Sequence, residues 1–251
     1  MAESLPNPKF LVSFSSAEKV TSVCVASREE VTVAIDSEQW LLSQDEEQVS
    51  GRSTSLVPMI KDVMEQASID ETMVEAIALT HGPGRFTGLR VAVVTARMLC
   101  YAWNLPVIAL NSLEVVADKL RRERSLPAGS KIWAITDAQR RQVFAAQFQV
   151  DDSEILKVGH AQSLFERDAI VELIEKGDHV TGSGTRAFED QLVSKSEIEL
   201  PDPSVAMCDA AGVAVLARRR LQSADFDDPL KIEPIYFRPS AAEEVRLAKE
   251  T

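Results

Sequence analysis

Cysteine, histidine and basic charge are all scarce in this 251-residue chain, and nowhere do 18 apolar residues run together. Cys24, Cys100 and Cys208 stand far apart with no Cys-x-x-Cys pair, which excludes a disulfide framework and a zinc knuckle. His81, His160 and His179 come no closer than 179 − 160 = 19 residues. Metal-dependent hydrolysis needs ligands clustered a helical turn apart or an equivalent carboxylate set, so a metalloprotease reading is disfavoured. Without a long apolar run there is no membrane-spanning helix. The start, MAESLPNPKF, carries acid and two prolines where a secretion signal begins basic and turns apolar. A cytoplasmic protein without metal or other cofactor is the expectation.

Lys and Arg number 27 against 39 Asp and Glu, a formal charge of −12. That sign opposes a phosphate backbone, so any nucleic acid the chain meets is expected to be held chiefly by something else. Local basic clusters at Arg121, Arg122 and Arg124, at Arg140 and Arg141, and at Arg218, Arg219 and Arg220 read as solvated helix and turn faces. What the chain does have is 45% hydrophobic residues, enough for a core without staples.

The apolar residues fall into two periods. Residues 10–14, 20–26 and 31–35 are short β-prone runs predicting an antiparallel meander, followed by a polar, acidic stretch from Asp36 to Arg52. Leu56, Met59, Ile60, Val63, Met64 and Ala67 recur at helical spacing behind Ser55, a candidate cap. A strand at 74–80, the glycine loop HGPGRFTG, an apolar helix to Trp103 and a strand at 106–112 form a βαβ unit. Ser112 is positioned to cap the next helix, to about Arg122. KIWAIT and VFAAQFQV flank the polar turn DAQRRQ as a hairpin, HVTGSG at 179–184 is a strand running into glycines, and Asp209 can cap a helix at 210–221. Strands, a βαβ unit and a similar second set predict two α/β lobes with mixed sheets flanked by helices.

The densest motif is the loop. Gly82, Gly84 and Gly88 permit a tight turn, with Pro83 and Phe86 between them, and Thr87 is placed to cap the helix that carries Arg90. The loop matches neither the dinucleotide-binding nor the P-loop pattern.

As a string, HGPGRFTGLR is similar to the Gly-Pro-Gly-Ser-Phe-Thr-Gly-Leu-Arg signature of the TsaB (YeaZ) family. LNSLEVVA at 110–117, TDAQRRQVFAA at 136–146 and IYFRPSAAEEVR at 235–246 resemble its later motifs, in the family's order. The resemblance implies a two-lobed fold of the actin, sugar-kinase and heat-shock-ATPase type, with lobes at 1–110 and 111–222 and a tail at 223–251 returning to the first. It implies a non-catalytic subunit that pairs with the catalytic paralogue TsaD. With the ATPase TsaE, that complex transfers threonylcarbamoyl to an adenosine next to the tRNA anticodon. A homodimer is the expected state of the chain alone, with tRNA reached only through the complex. Two departures stand out: Phe14 occupies the place of a family aspartate, and Arg52, Ser53 and Thr54 replace a His-Ser-Glu stretch. Arg85 replaces the loop's serine.

The alternative is an ATPase or small-molecule kinase on the same fold, built on Asp137 and the loops at 82–88 and 182–184. For the pairing surface, two helices carry more apolar residues than one sheet needs. Met59, Val63 and Met64 on the first and Leu89, Val93 and Ala96 on the second are the expected partner seam.

Overall fold

A computed structural model describes residues 9–36, 56–152, 156–196 and 198–237. The positions Arg52, Ser53, Thr54 and Ser55, for which expectations were stated above, lie outside them. The strands are β1 (Phe10–Ser15), β2 (Ser22–Ser27), β3 (Val31–Asp36), β4 (Val74–Gly82), β5 (Val107–Asn111), β6 (Lys131–Asp137), β7 (Gln142–Val150), β8 (Leu156–Glu166) and β9 (His179–Thr181). The α-helices are α1 (Leu56–Gln66), α2 (Phe86–Trp103), α3 (Ser112–Glu123), α4 (Arg167–Leu173), α5 (Glu189–Ser196), α6 (Pro203–Ala206) and α7 (Ala210–Gln222). They form two compact units. The first holds the described residues up to 81 with 88–110 and 209–233, and the second holds 82–87, 111–208 and the described residues from 234.

In the first unit the sheet order is β3-β2-β1-β4-β5. β1, β2 and β3 pair antiparallel as the expected meander, and β1 pairs parallel with β4 in the register Val12↔Ile77 and Phe14↔Leu79. Strand alternation then divides the side chains between two faces. Val12, Phe14, Val23, Val25, Ile77 and Leu79 share one buried cluster with the apolar stripes of α1 and α2. Each buried aliphatic side chain of α1 contributes about 1.5–3 kcal/mol of transfer free energy. Ser13 and Ser22 point to the other face, where α7 lies: Ser13 Oγ donates to Ala210 O at 2.9 Å, and Ala210 N donates to Ser22 Oγ at 2.8 Å.

That placement corrects two expected boundaries. α7, assigned to a second lobe at 111–222, belongs to the first unit because its amino end is bonded to β1 and β2. The tail divides too, with 223–233 in the first unit and the residues from 234 in the second. The first part seals an open edge. Asp227 N donates to Val107 O at 2.9 Å, and Asp227 Oδ2 accepts from Ala109 N at 2.7 Å, so one residue stands in for a neighbouring strand on β5.

The second unit has the order β8-β7-β6-β9, with β6 antiparallel to β7 and parallel to β9. Ile132, Ala134 and Phe148 pack on Leu113, Ala117 and Leu120 of α3, while Trp133, Ile135 and Val143 pack with Ile170, Phe188 and Leu192. Asn111, and not Ser112, caps α3: its backbone is still extended and its Oδ1 accepts from Leu113 N at 2.8 Å. Inside α3, Asp118 is buried and accepts from Arg121 Nε at 3.1 Å and Arg122 Nε at 2.7 Å.

The tip of the β6–β7 hairpin is strained. Gln139, Arg140 and Arg141 take φ of 61°, 52° and 62°, the left-handed region that glycine fills without penalty. For residues with a Cβ this conformation costs roughly 1–2 kcal/mol each.

Candidate functional site

α2 presents two apolar faces. Leu89, Ala92, Val93, Ala96 and Cys100 are buried. On the other side Val91, Val94, Met98 and Tyr101 are 44, 58, 62 and 86% exposed. Their spacing of three, four and three residues places them in one line along the helix, roughly 15 Å long. A solvated helix normally turns charged and polar residues outward. Here the outward line is aliphatic, thioether and aromatic.

The six residues expected at a partner seam do not lie on this line. Met59, Val63, Met64, Leu89, Val93 and Ala96 are all buried, Met64 the most accessible at 8%. The physical reason is the continuity of the inward stripe. Val93 and Ala96 share one cluster with Ala92 and Cys100, closed against Ile77, Leu79 and Phe14, so that face is spent on the sheet. The sequence shows the helix's excess apolarity but not which of its faces the sheet takes. Val91, Val94, Met98 and Tyr101 were legible as the complementary i, i+3, i+7, i+10 series.

The glycine loop precedes α2, which starts at Phe86, so Thr87 lies inside the first turn and not at a cap position. Gly88 is required by a close approach: a Cβ there would sit 1.9 Å from Ser16 O. Gly82 combines φ of 127° with the Ile235 carbonyl 2.9 Å from where its Cβ would be. The Gly82–Pro83 peptide is cis. Phe86 stacks on Tyr236, with ring centroids 4.6 Å apart. Arg90 is exposed in the first turns of α2, and Gly84 is partly accessible. The glycines therefore serve close packing: Gly88 against β1's exit, Gly82 and Phe86 against the segment 235–236.

Phe14, in the place of the family aspartate, is fully buried in the first unit's apolar cluster. Asp137 is exposed and occupied by its own turn: Oδ1 accepts from Gln139 N at 3.1 Å and lies 3.6 Å from Arg167 Nη2. His81 Nδ1 is 2.9 Å from Glu233 O, tying β4's end to the tail. Among the described residues no three His, Cys, Asp or Glu are grouped to hold a metal ion. Burial pushes the Cys24 thiol up to about 12, partly offset by a hydrogen bond with Ser13, and the Cys100 thiol up to about 11. Neither supplies a thiolate near neutral pH. Among the described residues no helix is long and apolar enough to cross a membrane.

Comparison with known proteins places these features in a family. Residues 48–246 match the family described as TsaD, tRNA N6-adenosine threonylcarbamoyltransferase. The tRNA threonylcarbamoyladenosine biosynthesis protein TsaB of Escherichia coli is 26% identical over 190 residues, covering 74% of this chain and 80% of that protein. TsaB of Haemophilus influenzae is 27% identical over 194 residues, covering 73% and 78%. The solved structure of YeaZ from Pseudomonas aeruginosa superposes with a TM-score of 0.72 at 20% identity, over 91% of this chain and 99% of that one, and so shares its fold. Four motifs in order, a match across most of the length and a shared fold converge: the chain belongs to the TsaB (YeaZ) branch of the threonylcarbamoyltransferase family.

Proposed function

We propose that this chain is a non-catalytic accessory subunit in the biosynthesis of threonylcarbamoyladenosine in tRNA, and that it pairs with a TsaD-type threonylcarbamoyltransferase through the outward face of α2. The observation that carries the reading is the line Val91, Val94, Met98 and Tyr101. Burying an exposed apolar stripe on a rigid helix stabilises association, and Met and Tyr are enriched at such seams. The names of the relatives supply the pathway, and the matching family supplies the class of partner. The same face suits a second copy when the partner is absent, and a TsaE-type ATPase joins the assembly elsewhere.

The non-catalytic part rests on Phe14. A ring buried at the end of β1 leaves no carboxylate at the position where the fold's nucleotide-hydrolysing members hold one, and Asp137 is committed to its own hairpin. The test is reconstitution with the partner from the same organism. Threonylcarbamoyl transfer to tRNA is expected only when both chains are present, with no ATP turnover by this chain alone. Transfer by the partner at full rate without it, or steady ATP hydrolysis by the isolated chain, would overturn the reading.

A further inference from the structure

The outward line of α2 is too small to hold a partner by itself. A strip roughly 15 Å long and about 10 Å wide covers roughly 150 Å², against about 800 Å² per partner in a standard interface. A seam built on this helix needs further surface from a neighbouring element of the first unit. Two such elements share the buried cluster of α2 from either side: α1, which packs against β2 and β3, and the turn 228–232 beyond the β5 edge.

α1 offers little apolar surface. Val57 is exposed, but Lys61 and Glu65 follow it at four-residue steps, both exposed and paired with each other at 3.5 Å. That is the usual charged face of a solvated helix. The turn is different. Asp228 fixes its start: Oδ1 accepts from Leu230 N at 2.9 Å, and the carbonyl accepts from Lys231 N at 2.9 Å and Ile232 N at 3.2 Å. Its end is fixed by Ile232, buried in the cluster it shares with α2, and by Arg97 of α2, whose Nη2 donates to Ile232 O. Between these fixed points Leu230 is 82% exposed. Turns ordinarily place polar residues outward. A leucine held outward on a pinned turn has little backbone freedom left to lose on binding, which favours it as an anchor. Arg97 also sets where the turn lies. It stands on α2 three residues after Val94 and four before Tyr101, so the turn meets the flank of the outward line itself.

We infer that the α2 seam continues past Arg97 onto the turn 228–232, and that Leu230 seats in an apolar socket of the same TsaD-type partner. This rests on the function proposed above and gives its docking face a second anchor. The occupant follows from continuity with the α2 line and from the area that line lacks.

The test compares Leu230→Ala, Leu230→Met and, on the other flank, Val57→Ala. Each is made in the full chain, unfolded thermally alone and titrated against the TsaD-type partner. All three side chains are exposed, so all three variants are expected to melt like wild type. Leu230→Ala should pair about tenfold more weakly, whereas Leu230→Met, which keeps the apolar volume, and Val57→Ala should pair within about twofold of wild type. Wild-type affinity in Leu230→Ala, or a greater loss in Val57→Ala, would overturn the inference and leave the proposed function standing on Val94 and Met98. A lowered melting temperature in both Leu230 variants would make the residue part of the fold and also overturn it. So would weakened self-association with pairing intact, which would give the socket to a second copy. A wild-type chain that does not pair with the partner would overturn the proposed function together with the inference.

Discussion

α2 in the first unit and α3 in the second both bury an apolar stripe against their sheets, yet they differ in how their remaining surface is treated. α3 is enclosed by its own unit, and several of its charged groups are tethered there. Asp118 holds Arg121 and Arg122, and Lys119 Nζ donates to the carbonyls of Ser204 and Met207 at 2.8 Å each. α2 closes on its sheet through one stripe and leaves the opposite stripe, Val91 to Tyr101, in the open. A helix completed by its own unit carries tethered polar side chains. α2 instead carries an apolar line with nothing laid over it among the described residues.

Substitutions separate these roles. The largest effect is expected for Met64→Asp, which drives a carboxylate into the cluster that α1 shares with α2 and the sheet. It should cost about 3–5 kcal/mol, a large part of a domain's stability, and show as loss of cooperative unfolding in a thermal or denaturant scan. A protein that stays folded and fails only to pair would move Met64 back to a seam. Asp118→Ala comes next, at about 3 kcal/mol, because it leaves two guanidinium groups without their shared acceptor, one of them buried. A shift in denaturant midpoint much smaller than this would mean that α3 is held by apolar packing alone. The smallest effect concerns His179, whose pKa is held below the usual histidine range by burial and by Arg124, against the pull of Asp178. A depressed histidine makes its contribution above the unfolded value, near ~6.5, and that contribution is lost as pH falls through the lower folded value. Melting temperature should therefore decline over that window in wild type and decline less in His179→Gln. Equal slopes would remove His179 from the account.

Much of this architecture was written in local pattern. The meander at 10–36, the helix from Leu56 and the β6–β7 hairpin announce themselves by period and by turn chemistry, and Asp209 caps α7, its Oδ1 accepting from Gly212 N at 2.7 Å. β8 and α4 were not legible. LKVGHAQSLFE alternates poorly because β8 is an exposed edge strand, with register shifts where it meets Ala145, Gln147 and Phe148. Which unit α7 joins is a tertiary matter, decided by hydroxyls 188 and 197 residues away in the chain. Which face of α2 lies open was not legible for a related reason. On a helix apolar on both sides, composition shows that two surfaces exist, and only the sheet decides which one is free. Strain at Gln139, Arg140 and Arg141 has no signature in composition, because residue type alone reads as an ordinary polar turn.

We propose that the outward line of α2 joins this chain to its partner. The most direct test is the double variant Val94→Asp with Met98→Asp, followed by titration against the TsaD-type partner and by thermal unfolding of the variant alone. Both side chains are more than half exposed, at 58 and 62%, so unfolding should shift by no more than about 0.5 kcal/mol. Pairing should weaken by at least about 2 kcal/mol, roughly thirtyfold, as expected for charge placed in a desolvated seam. A folded variant that binds the partner with wild-type affinity would contradict the account.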